Sequence, residues 1–309
     1  NAQYSYEKGN ITFNSRISAN ERIVRNLNNN TYQDQYSYQG QNIFAELYNQ
    51  TQFSEHINFV AGIQYESQNL GSKSLPWGGT SMQNVLTLGE TEISNFDVFA
   101  NANLAYQIFH LDLGARLNNH SKYDNHFVYS VNPFILTDLD DNFLKIGYSY
   151  ATAFIAPTLY QSYGSLPYVL PNFDLKPETN ASHELDFSFG KKDRTFVVNA
   201  SVFSRKEKDV FVYNWDNRKF LNVESNKVKG VELGVQYHFN EKVNVGGNFS
   251  FAEKDNPATR LRSPKQRANA FLEILPIKNN RINISYQYTS KRNDAYYDSS
   301  SFSTKNVEL

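Results

Sequence analysis

Leu111-Asp112-Leu113-Gly114-Ala115-Arg116-Leu117-Asn118 alternates without a break. Its odd positions are Leu, Leu, Ala and Leu, and its even positions are Asp, Gly, Arg and Asn. That is the period of a β-strand with one apolar and one polar face. The same alternation returns in 57–66, 96–106, 144–150, 231–239, 243–251 and 282–289, and helical spacing fits none of them as well. Such strands lie between two unlike media. A soluble sandwich and a transmembrane barrel both meet that description.

The connections separate the two. Strands read at 2–7, 11–24, 38–50, 57–68, 92–107, 110–118, 127–138, 142–153, 182–191, 195–206, 220–239, 243–253, 265–275 and 281–296 give about 14 in all. Tight turns at 7–10, 108–109, 139–141, 192–194, 240–242 and 276–280 alternate with long connections such as 69–91, 154–181, 207–219 and 254–264. An up-and-down meander through a membrane produces that rhythm, with short turns on the periplasmic side and long loops outside. A Greek-key sandwich has no reason to keep it.

Composition supports strands and removes several functions. The chain has 309 residues, 23 Phe, 21 Tyr and 2 Trp, 30 basic against 31 acidic side chains, and no cysteine. Aromatics favour strands. A net charge of −1 gives no basic footprint for nucleic acid. Without Cys there is no disulfide framework, thiolate metal site or cysteine nucleophile. Mean hydropathy is −0.59, and no apolar run approaches the roughly 18 residues of a membrane helix. A barrel strand dilutes its apolar face by half, so a hydrophilic average is compatible with one. No Pro-rich, Gly/Ser-rich or charged linker divides 1–309, which reads as one domain.

The polar alternate would then line a lumen. It carries Gln64, Glu66, Asp97, Asn101, Asn103, Arg116, Glu184, Asp186, Asn199, Glu232, Gln236, Asn244, Asn248, Asn283 and Gln287. So many polar side chains require an interior wide enough for water or another polar body. Tyr6, Tyr65, Tyr106, Tyr148, Tyr150, Tyr237, Tyr286 and Tyr288 lie near strand ends, where aromatic girdles meet the membrane interface. Pro157, Pro177 and Gly230 are expected to end or bend strands. Trp77, Tyr160, Tyr163, Tyr168, Tyr213, Trp215, Tyr296 and Tyr297 fall in or beside the connections. Loop aromatics carried on a rigid scaffold can stack on a large planar or apolar ligand, and ordinary packing among themselves accounts for them equally well.

Catalysis has weak support. The six histidines are scattered, and none stands in a nucleophile motif. His120, Asp124 and His126 could share a metal in one loop, but surface chemistry without a site explains them better. The run Asp138-Leu139-Asp140-Asp141-Asn142 lacks the glycine and distal Glu of a calcium loop and reads as a turn. No enzyme activity, cofactor or metal is expected.

The longest specific signal is Tyr148-Ser149-Tyr150-Ala151-Thr152-Ala153-Phe154-Ile155-Ala156-Pro157-Thr158-Leu159-Tyr160-Gln161-Ser162-Tyr163-Gly164. Pro171-Asn172-Phe173-Asp174-Leu175-Lys176-Pro177-Glu178-Thr179 and a strand bearing Glu184 follow it. The pair resembles the barrel of TonB-dependent outer-membrane transporters. Asn222 to Leu233, which closes on Gly230-Val231-Glu232, is similar to that family's "N-x7-G-V-E" strand. Together with Arg262-Ser263-Pro264-Lys265-Gln266-Arg267-Ala268 and Tyr286-Gln287-Tyr288-Thr289-Ser290-Lys291-Arg292, these segments look most like the vitamin B12 (cobalamin) receptor subgroup. The clear likeness covers roughly 140–309.

The resemblance implies a barrel of about 22 strands with an N-terminal plug, energised through the TonB-ExbB-ExbD system. The sequence given contains no plug or TonB box, so it is expected to be an interior part of a larger, monomeric barrel in outer-membrane lipid. Carboxylates at the Glu184 and Glu232 motif positions would hold plug arginines, as bidentate carboxylate–guanidinium pairing allows. The expected role is energy-dependent uptake of a large scarce nutrient, with cobalamin first and a ferric siderophore or haem as the alternative. Two other classes compete with it: a passive porin-like channel, and a soluble Tyr-rich sandwich that binds glycans.

Overall fold

The structure, a computed structural model, describes residues 1–27, 34–164, 169–260, 262–277, 280–293 and 301–308. Its strands are β1 (Ala2–Lys8), β2 (Ile11–Leu27), β3 (Asp34–Ser54), β4 (Ile57–Ser74), β5 (Gln83–Leu86), β6 (Ile93–Tyr106), β7 (Phe109–His120) and β8 (Asp124–Leu139). They continue as β9 (Asn142–Ile155), β10 (Glu178–Lys191), β11 (Phe196–Asn214), β12 (Lys219–Asn240), β13 (Val243–Lys254), β14 (Gln266–Ile274), β15 (Ile282–Asn293) and β16 (Ser301–Glu308). One helix, α1 (Leu159–Tyr163), lies between β9 and β10. All sixteen strands belong to one sheet, in which each pairs antiparallel with the next in chain order except β5, a short ribbon on β4.

The meander explains the two kinds of connection. At one end the chain reverses at 9–10, 55–56, 107–108, 140–141, 192–195 and 241–242. Gly9, Gln107, Asp140 and Arg194 adopt φ of 60°, 53°, 54° and 59°, as tight hairpin turns require. The long connections 75–92, 156–177 and 255–265 emerge at the opposite end, which is therefore the outer one.

Two connections are shorter than the sequence indicates. β11 runs on to Asn214 and β12 begins at Lys219, so the expected loop over 207–219 contracts to 215–218. Arg205-Lys206-Glu207-Lys208 is polar on both faces, which hides strand periodicity where a hairpin rises out of the apolar band. β4 likewise extends to Ser74, and β5 was not legible at all.

The register places each polar alternate on one face. Asn103 opposes Asp112, Asn101 opposes Gly114 and Asp97 opposes Asn118. Across β10, β11 and β12, Asp186 opposes Ser201, which opposes Glu232. This face also carries Tyr38 and Phe220, and Tyr160 of α1 contacts both rings, at centroid distances of 6.5 and 6.3 Å. One residue can touch strands as far apart in the sheet as β3 and β12 only if the sheet curls around it. The polar face is therefore the inner one.

The outer face is apolar and open. Phe127, Ile17, Leu185 and Val202 are 63%, 60%, 59% and 58% exposed, whereas the buried apolar residues among those described are only Ile93, Leu159, Val169, Leu175 and Val228. A soluble sandwich reverses that proportion. All eight girdle tyrosines named above share this face by register: Tyr6 opposes Phe13, Tyr65 opposes Phe96, and Tyr286 opposes Ala270. No described helix is long and apolar enough to cross a membrane, so the strands do the crossing.

Gly230 has a different part from the one its sequence context indicates. It neither ends nor bends β12 but sits in mid-strand, opposite Phe203, whose ring folds over it. A Cβ there would meet Phe203 Cζ at 2.3 Å and the Phe251 carbonyl at 2.4 Å. Gly62 beneath Phe99 and Gly246 beneath Phe271 repeat the arrangement. Gly230→Val should lower stability in lipid vesicles by about 1–3 kcal/mol, read from denaturant unfolding. Gly234→Val, with nothing within 4 Å of a Cβ, should be tolerated; equal effects of the two would contradict this packing role.

Candidate functional site

At the outer end, connection 156–177 folds back onto the β11–β12 hairpin. Thr158 caps α1: its Oγ1 accepts from Gln161 N at 3.2 Å, and Gln161 Oε1 accepts from Thr158 N at 2.9 Å. The helix buries Leu159, and Leu175 is buried further along the same connection. Backbone bonds Leu170 N to Arg218 O (2.7 Å) and Asn172 N to Ser162 O (2.8 Å) fix its course. Asn172 Nδ2 donates to Phe220 O at 2.7 Å.

The two most specific sequence motifs meet here. Asn222 Oδ1 accepts from Lys176 N at 2.9 Å, and its Nδ2 donates to Lys176 O at 2.9 Å and to Asp209 O at 2.5 Å. Glu178 accepts from Phe211 N. The Leu175-Lys176-Pro177-Glu178 turn and the Asn222 strand, nearly fifty residues apart, are thus one structural unit. A second anchor is Asn226, only 1% exposed. It donates to Glu207 at 2.5 Å and accepts from Thr259 Oγ1 at 3.0 Å, tying connection 255–265 to β12.

This framework assembles an aromatic ladder. Tyr38 packs on Tyr160, Tyr160 on Phe220, Phe220 on Tyr213 (5.3 Å) and Tyr213 edge-on against Trp215 (4.8 Å, 88°). Three of the loop aromatics read from the sequence, Tyr160, Tyr213 and Trp215, therefore come together. Tyr38 and Phe220 were missed, although both fall on the inner alternate of strands that extend beyond the apolar band. Trp215 stays 48% exposed and Tyr160 40%, so the ladder offers ring surface to a ligand. Burial beside Tyr38 and Tyr213 raises the Tyr160 phenol above its ordinary value.

The other loop aromatics do not join. Tyr163 packs edge-on against Phe173 at 5.3 Å, and the Lys122 ammonium lies over both rings and over Tyr123. Burial lowers the Lys122 pKa and the Asp174 carboxylate opposes that; Phe173 is 57% exposed, so this second aromatic group also keeps open surface. Trp77 is fully exposed, away from both groups. Tyr168, Tyr296 and Tyr297 lie outside the described residues. His126 stacks on Phe154 at 3.9 Å, and its Nε2 bonds Tyr123 O, while His120 Nδ1 accepts from Lys122 N. Among the described residues no three His, Asp or Glu side chains cluster as metal ligands do.

Deeper in, the inner face carries two polar groups of opposite character. Arg116 pairs with Asp97 at 3.1 Å, Asn118 donates to Asp97 at 2.5 Å, and the guanidinium lies 5.3 Å from the Phe99 centroid. That charge pair is complete in itself. Glu184, Asp186 and Glu232 instead share a groove of about 570 Å³ with Ser201, Asn199 and Asn248. None of the three carboxylates forms an ion pair among the described residues. The groove is an acidic seat open to the interior.

The comparisons agree with this geometry. A family model described as "TonB dependent receptor-like, beta-barrel" matches residues 1–307. The siderophore receptor PirA from Pseudomonas aeruginosa superposes with a TM-score of 0.65 at 15% identity, over 92% of this chain and 58% of that one. A ferric enterobactin receptor (PfeA) variant from Pseudomonas aeruginosa, in complex with enterobactin, gives 0.70 at 15% identity, over 99% and 52%. The copper transporter OprC gives 0.69 at 12% identity, over 91% and 49%. The chain thus spans about half the length of these solved structures. A search of curated proteins returned no match. Replacing Asn222 by Ala should release connection 156–177 and raise its rate of cleavage in limited proteolysis by about tenfold, the effect of losing roughly 1.4 kcal/mol of local hydrogen bonding. An unchanged rate would contradict the anchoring role.

Proposed function

This chain belongs to the TonB-dependent receptor-like β-barrel family, and from that premise we propose that it forms part of an energy-dependent uptake receptor for a large, scarce, metal-bearing nutrient. Its location is the outer membrane. The observation that carries the proposal is the ladder Tyr38-Tyr160-Phe220-Tyr213-Trp215 at the outer end, with exposed ring surface facing the interior. Aromatic faces held by a rigid scaffold capture a bulky ligand with little loss of conformational entropy.

Cobalamin is the cargo that the sequence motifs favour. A ferric siderophore is the second reading, because two of the solved structures most like this chain are described as siderophore or ferric enterobactin receptors. In both readings Glu184 and Glu232, with Asp186 between them, hold guanidinium groups of a plug domain inside the barrel. Three carboxylates without cations of their own are the arrangement such a partner needs. Release of the ligand inward then requires the TonB system to shift that plug between states.

The test uses the full-length parent protein in detergent, titrated by calorimetry with cyanocobalamin and with ferric enterobactin. The corrin reading predicts tight binding of the first, weakened about tenfold by Trp215→Ala or Tyr213→Ala, the loss of one stacking partner. Binding of the siderophore alone exchanges the cargo, and silence from both overturns the receptor reading. In planar bilayers the parent should be closed and Glu184→Gln/Glu232→Gln should conduct. A parent that conducts freely is a porin.

A further inference from the structure

The tip of the β7–β8 hairpin holds a titratable group that neither the aromatic ladder nor the acidic groove uses. His120, the last residue of β7, is only 2% exposed. Its Nδ1 accepts from the Lys122 backbone N–H at 3.0 Å. A neutral imidazole that accepts at Nδ1 carries its hydrogen on Nε2, and Nε2 is buried without a hydrogen-bond partner. Tyr123 packs against the ring at 4.8 Å, and Phe154 of β9 meets it edge-on at 6.5 Å.

The groups around it leave a second charge little support. His126 of β8 stacks on the same Phe154 ring at 3.9 Å. Lys122 reaches from the turn across to the neighbouring connection, its ammonium 6.0 Å from the Tyr163 centroid on α1 and 5.8 Å from that of Phe173. Those cation–π contacts join the hairpin tip to that connection. Two carboxylates stand nearby: Asp124, exposed and opposite His120 in register, and Asp174, whose charge acts on Lys122. On β6 the opposing residue is Asn95, and Asp97 below it is engaged by Arg116 and Asn118. His120 itself forms no ion pair among the described residues.

We propose that His120 is a proton-operated latch that holds the tip of the β7–β8 hairpin against α1 and Phe173 while its ring is neutral and releases it when the ring is protonated. Protonation places a hydrogen on Nδ1, where it meets the Lys122 N–H donor to donor. It also buries a cation beside Lys122 and His126, with no acceptor at Nε2. The turn at 121–123 must then shift, and Lys122 leaves Tyr163 and Phe173 with it. Because α1 carries Tyr160 as well as Tyr163, release loosens one rung of the ladder. Burial first, then the charges of His126 and Lys122, hold the His120 pKa below the ordinary histidine value. A group depressed in the closed state favours closure above its ordinary value and loses that effect as the pH falls beneath it. Neutral pH therefore closes the latch and acid opens it. The device is independent of the cargo.

Hydrogen–deuterium exchange, corrected for its intrinsic pH dependence, is measured on the ligand-free full-length protein in detergent at about pH 7.5 and about pH 5. Peptides covering 156–164 and 169–177 are expected to exchange at least about threefold faster at the lower pH, while β12 stays unchanged. His120→Asn keeps an acceptor at the Nδ1 position without a titrating proton, so it should exchange slowly at both. His126→Gln should keep the parent's response, and Lys122→Ala should exchange fast at both. A parent without the response, or with the same rise in β12, would overturn the latch. So would a response kept in His120→Asn or lost in His126→Gln, fast exchange of His120→Asn at neutral pH, or a Lys122→Ala protein as slow there as the parent.

Discussion

Every backbone N–H and C=O that enters the hydrocarbon must be bonded within the protein, since each one left alone there costs several kcal/mol. The rest of this structure follows from that constraint. Strands cannot satisfy it singly, so each is paired along its length with the next, through fifteen members in chain order. Pairing neighbours in chain order needs only hairpins, which accounts for the two-residue turns with left-handed residues such as Gln107 and Asp140. Because pairing fixes register, it also fixes faces, and a single-residue slip would send Arg116 and Asp97 into lipid.

With the backbone bonded, side chains settle what each face meets. The outward face does the work of a core by contact with lipid rather than with protein, which is why so few large apolar residues are buried. The inward face cannot pack against itself across a wide interior. It fills locally instead: Phe203, Phe99 and Phe271 lie flat over glycines, and Arg116 is neutralised by Asp97. Glu66 and Asp112 on the same face also lack an ion pair but each accepts from amide side chains, whereas the carboxylates at 184, 186 and 232 gather in one groove with no cation among the described residues. The function proposed for them rests on that contrast.

Strand positions were legible wherever a strand separates lipid from water, as in 111–118, because the two media force opposite residues onto alternate positions. Legibility failed where both faces meet water. Glu207 to Asn214 is strand, yet it carries polar or mixed residues on each side and was read as part of a loop, while its partner was read as strand from 220 onward. Tyr38 and Phe220 stood at the first position of the strands read at 38–50 and 220–239, but nothing in the sequence shows that they complete the ladder around Tyr160. The family motifs were visible as words, but their physical meaning was not. Only the fold shows that Asn222 closes on Lys176, and that Gly230 makes room for an aromatic ring rather than bending the strand. Individual loop aromatics were the least legible, since nothing in a sequence says whether Tyr163 faces a ligand or props a lysine.

The central claim is that one face of every strand meets lipid and the other meets water. These 309 residues contain no cysteine, so labels can be placed in them one position at a time. Spin labels placed singly at 230 to 237 on β12, in the full-length protein in vesicles, report oxygen accessibility on the lipid side and nickel-chelate accessibility on the water side. The account predicts strict alternation, with oxygen favoured at 231, 233, 235 and 237 and the chelate at 232, 234 and 236. Equal accessibility to both along the strand, or oxygen preference at 232 and 236, would contradict it.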